Sequence, residues 1–100
     1  SDGYAFRGFA QIVGRDYVAS RQDFERALGK LPPSDDCAQA IRPKPSPSQQ
    51  ISLYANIGAV NVLIARLLSI DSANQNYQSA FQSYAQALDL IEQFDRIETL

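Results

Sequence analysis

Apolar and small side chains recur every three or four positions through the first third of the chain, which is the period of one face of an α-helix. From Tyr17 that face passes through Ser20, Arg21, Phe24, Ala27, Leu28 and Leu31. Sizes alternate along it, rings at Tyr17 and Phe24 beside small Ser20 and Ala27, so a second helix can come close. A helix over residues 17–30 is expected, stopped by Pro32. Residues 2–14 read as a preceding helix, with Tyr4, Gly8 and Gln11 or Ile12 facing its partner. Phe9, Ile12 and Val13 add apolar surface beyond that stripe. Gly14-Arg15-Asp16 supplies the turn, with Asp16 as N-cap.

The pattern breaks over residues 32–48, which hold all five prolines of the chain. A short helical turn capped by Ser34 or Asp35 and reaching Ile41 is expected, then an extended stretch from Arg42 to Pro47. The segment reads as a surface linker; RPKPSP as a docking strip for a proline-recognising domain is the rival reading. Ser46-Pro47-Ser48-Gln49 then announces a helix, with a capping serine, proline at the first helical position and glutamine three residues after the cap.

That helix, about 47–70, is the most apolar element. Tyr54, Ile57, Gly58, Asn61, Ile64, Ala65 and Leu68 form its stripe, widened by Leu53, Val60 and Leu67. Asn56, Asn61 and Arg66 interrupt the run, which argues for a buried helix and against a membrane span. Ser72 and Gln75 repeat the capping spacing before a last helix over about 73–98. Its apolar stripe is Tyr77, Ala80, Phe81, Tyr84, Ala87, Leu88, Ile91 and Phe94, with Asn76, Ser79, Ser83 and Gln86 expected to meet water.

Composition narrows the function classes. Hydrophobic residues make up 45% of 100, enough for the core of one small all-α domain and too many for a disordered chain. The net charge of −2 lacks the basic excess that a nucleic-acid surface needs. With no histidine and one cysteine, Cys37, there are few ligands for a metal, no internal disulfide and no usual base for a serine nucleophile. Asp35-Asp36 reads as a cap, and these acids beside Cys37 disfavour a thiolate. No metal, no cofactor and no enzymatic activity are expected. Starting at Ser1 and lacking methionine, the chain is expected to be a processed or excised piece of a longer one. Nothing in it reads as an address to a compartment.

The joint spacing of Tyr4, Gly8, Ala10, Asp16-Tyr17, Phe24, Ala27 and Pro32 resembles a tetratricopeptide repeat, a helix–turn–helix unit of about 34 residues. Arg7 stands where that family usually has an aliphatic residue, Gln11 where it has an aromatic one, and Ser20 replaces the usual alanine. Tyr54, Ile57 and Gly58 repeat the first-helix pattern fifty residues on. Tyr77, Ala80, Tyr84, Ala87 and Leu88 repeat the second-helix pattern sixty residues on, so ten extra residues lie between Gly58 and Tyr77. They are expected to lengthen both helices of the second hairpin by roughly a turn and a half each.

The resemblance implies one all-α domain over 1–100, two antiparallel helical hairpins in a right-handed tetratricopeptide-like array. Hairpin one covers about 2–31, the proline-rich linker about 32–48 and an elongated hairpin two about 47–98. It further implies a non-catalytic protein-interaction module whose concave face is lined by the first helix of each hairpin. By that analogy the face comprises Ala5, Phe9, Ile12, Val13, Ala55, Ala59, Val62 and Leu63, apolar residues suited to a helix or hydrophobic segment of a protein partner. The alternative is a structural or self-associating subunit, a homodimer or one part of a longer solenoid, since two repeats are fewer than the three or so that such arrays need.

Overall fold

Among the described residues four helices pack in chain order: α1 (Asp2–Val13), α2 (Tyr17–Ala27), α3 (Pro47–Arg66) and α4 (Ile70–Thr99). The computed structural model describes residues 2–34 and 44–99. Apart from Ser34 itself, the helical turn expected from Ser34 to Ile41, the Asp35-Asp36 pair, Cys37 and the start of the extended stretch at Arg42 and Pro43 lie outside the described residues. Among those described, the chain is all-α. α1 pairs with α2 and α3 with α4, and α2 makes the main contact between the two hairpins.

Each hairpin closes on a glycine facing an aromatic ring. A Cβ at Gly8 would lie 2.8 Å from the Phe24 ring, and one at Gly58 would lie 2.9 Å from the Tyr84 ring. The expected fifty- and sixty-residue offsets therefore join structurally matching positions. Beside the first contact, the buried Ser20 hydroxyl donates to the Gly8 carbonyl at 2.7 Å. Between the hairpins, Phe24 joins Leu53, Ile57, Val60 and Ile64 in the core, with Ala5, Ile12, Tyr17, Ala27 and Leu28 packed around them. Val60, expected on a flank, is fully buried at the centre of this contact.

Helix starts follow the expected caps at two of three sites. Asp16 caps α2 by accepting from the Ala19 N–H at 3.4 Å. Ser46 and Gln49 complete a reciprocal capping box before α3, at 3.2 and 2.8 Å, with Pro47 at the first helical position. α4, in contrast, begins at Ile70 and not near residue 73. The Ser69 carbonyl already accepts from the Ala73 N–H at 2.8 Å, so Ser72 lies inside the first turn.

Helix ends differ from expectation for local reasons. α2 ends at Ala27, before Pro32 can act. Gly29 adopts φ +81°, its N–H bonds the Arg26 carbonyl at 3.0 Å, and the Lys30 N–H reaches back to Glu25 at 2.9 Å. This paired closure is the left-handed helix stop that glycine favours. α1 closes the same way, from Arg15 to Ile12 and from Asp16 to Gln11, but here the left-handed residue is Arg15 at φ 62°. α3 stops at Arg66, leaving Leu67 and Leu68 exposed instead of continuing the stripe. The ten extra residues of hairpin two do lie in its helices, but unequally. α1 runs five residues past Gly8 and α3 eight past Gly58, whereas Tyr17 opens α2 and seven residues of α4 precede Tyr77. Three extra residues thus fall in α3 and seven in α4.

Candidate interaction surface

The eight residues expected to line a face separate into two groups. Ala5 and Ile12 are half-buried against the inter-hairpin core. Ala55, Val62 and Leu63 of α3 are also half-buried, while Ala59 is exposed. Val13 is 85% exposed. Phe9 is 51% exposed and meets Phe24 edge-on, ring centroids 5.2 Å apart and planes at 75°. Phe9 is therefore partly held by the fold and partly open to solvent. Phe6, seven residues before Val13, is also exposed on α1. It falls outside the stripe that packs the helices, so the periodic pattern does not mark it as part of the face.

Two polar networks tie the helices together. In hairpin one the fully buried Asp23 carboxylate accepts from Arg7 Nε at 2.7 Å and Arg7 Nη2 at 2.9 Å, and from Arg26 Nη1 at 2.9 Å. Burial pushes the Asp23 carboxyl up, but the hydrogen bonds and positive charges of Arg7 and Arg26 more than offset it and hold the group below the usual carboxylate range. Arg7 Nη2 also donates to Ser34 Oγ at 3.2 Å, and the Ser34 N–H donates to the Tyr4 hydroxyl at 2.8 Å, which pins the start of the linker to α1. Between hairpins, Arg21 Nη1 donates to the buried Asn61 at 2.8 Å and to Asn76 at 3.3 Å. Asn76, expected to meet water, is thereby drawn into the contact of α2 with α4.

A groove of about 650 Å³ lies among α2, α3 and α4, with Arg21, Glu25, Lys30, Tyr54 and Asn61 on its walls. It is polar, and its cations are engaged: Arg21 braces three helices and approaches Glu25 at 3.7 Å, while Lys30 Nζ sits 4.7 Å from the Tyr54 ring centroid. These groups act as struts between elements. None of the eight expected residues lines this groove.

A long uncovered apolar row lies on α4. Ala73, Ala80 and Ala87 are buried, but Tyr77, Phe81, Tyr84, Leu88, Ile91 and Phe94 are between 40% and 74% exposed. The periodic stripe expected there is present; α3 buries its alanines and meets the Tyr84 ring at Gly58, and leaves the rest largely open. Among the described residues no three Cys, Asp or Glu side chains gather to hold a metal ion, and no helix is long and apolar enough to cross a membrane. No known family profile matches the chain, and neither a curated protein nor a solved structure matches it.

Proposed function

We propose that this chain is a non-catalytic protein–protein interaction module, a tetratricopeptide-like right-handed array of two hairpins that receives a helix or apolar segment of another protein. The array reading is supported by the two glycine–ring contacts, Gly8 with Phe24 and Gly58 with Tyr84, at matching places in the hairpins. The observation that carries the interaction role is the division of α1: Ala5 and Ile12 enter the core while Phe9 and Val13 stay open beside them. Large apolar groups held open on a rigid helix are the usual anchors for a partner. The receiving face is the one lined by Ala5, Phe9, Ile12, Val13, Ala55, Ala59, Val62 and Leu63. Affinity capture with the full chain, followed by mass spectrometry, tests it. Proteins retained by the wild type should be lost with Val13→Glu while the melting temperature is unchanged; retention of the same set would count against the face.

The exposed row on α4 favours a second reading, a self-associating structural subunit. Size-exclusion chromatography with light scattering separates the two. The interaction module runs as a monomer and the self-associating subunit as a dimer or larger species.

A further inference from the structure

We draw no further inference here: the strongest candidate, the exposed row from Tyr77 to Phe94 on α4, is an unpartnered apolar face, and nothing in the structure shows what covers it.

Discussion

The Arg7 guanidinium grips the buried Asp23 carboxylate with two parallel hydrogen bonds, from Nε at 2.7 Å and Nη2 at 2.9 Å. Fork-to-fork pairs of this kind are short, directional and intolerant of a missing partner. With Arg26 on the same carboxylate, hairpin one holds an acid whose folded-state pKa lies below its ordinary value.

A pH dependence follows with a definite sign. A depressed pKa means that the unfolded chain binds the proton more readily than the folded one, so stability rises with pH through this interval. The contribution of Asp23 is present in full above its unfolded pKa, about 3.9. It is lost as pH falls through the lower folded value. Denaturant titrations between pH 2 and pH 7 should show this acid limb, and Asp23→Asn should flatten it while costing about 1.5–3 kcal/mol at neutral pH. Arg7→Leu removes the first of the two groups that depress the pKa, so the folded value rises toward the unfolded one and the acid limb should shrink. An unchanged acid limb in both variants would remove Asp23 from the account.

The two glycines should respond differently to alanine. In a helix interior this change alone is worth roughly 1 kcal/mol in favour of alanine, while overpacking costs about 1–3 kcal/mol. At Gly8 the new methyl meets Phe24, fully buried and braced by Phe9, so Gly8→Ala should be net destabilising by about 1–2 kcal/mol. At Gly58 it meets Tyr84, whose ring is partly in solvent and can turn aside, so Gly58→Ala should fall within about 0.5 kcal/mol of the wild type. Equal losses at both sites, measured by thermal melting, would mean that Tyr84 is as firmly held as Phe24.

Arg15 is strained where glycine would not be. It takes the left-handed position that closes α1, one residue after Gly14, whereas α2 has glycine at the matching place. Arg15→Gly should stabilise by about 0.5–1 kcal/mol, because the relieved backbone strain exceeds the entropy that glycine adds to the unfolded chain. Gly29→Ala should lose about as much, since its φ of +81° alone opposes a side chain and no atom lies within 4 Å of the added Cβ. For a domain of this size each kcal/mol moves the melting temperature by roughly 4–8 °C. Shifts in the same direction for both variants would contradict the reading of these two turns.

How much of this could be read from sequence depends on the kind of feature. Helix number, the hairpin partners and the packing positions of Gly8, Phe24, Gly58 and Tyr84 are legible because apolar period and residue size leave direct marks; which ring meets which glycine is not. The ends are less so. Pro32 looks like the stop of α2, but a left-handed Gly29 acts five residues after Phe24. Ser72 looks like a cap, but α4 can already start at Ile70. Arg7 reads only as a misfit among apolar positions, since its partner Asp23 lies sixteen residues away on the facing helix and periodicity does not report which polar groups meet. For α4, the stripe from Tyr77 to Phe94 marks a face as apolar without saying what covers it; coverage depends on where α3 lies, and α3 buries the alanines and meets Tyr84 at Gly58. The same limit applies to the eight expected face residues, where one apolar pattern includes core-packed Ile12 and solvent-facing Val13.

Phe9 and Phe24 separate folding from recognition. Phe24 is completely buried and its ring closes both the hairpin, against Gly8, and the core shared with α3. Phe24→Ala should therefore cost about 3–5 kcal/mol, as for other core phenylalanines. Phe9 keeps half of its surface in solvent and contributes an edge-to-face contact worth about 0.5–1.5 kcal/mol beyond its partial burial. Phe9→Ala should cost the fold about 1–2 kcal/mol, clearly less than Phe24→Ala. If the α1 and α3 face takes a partner, the open side of the same ring is an anchor, and Phe9→Ala should weaken binding by about 2 kcal/mol or more. The two quantities are measured separately, stability by denaturant titration and affinity on a captured partner at a temperature where both proteins are folded. A Phe9→Ala protein that melts like Phe24→Ala makes Phe9 a core residue. One that melts only slightly lower but binds as tightly as the wild type leaves the ring exposed for no purpose on this face, and the proposed surface would have to be given up.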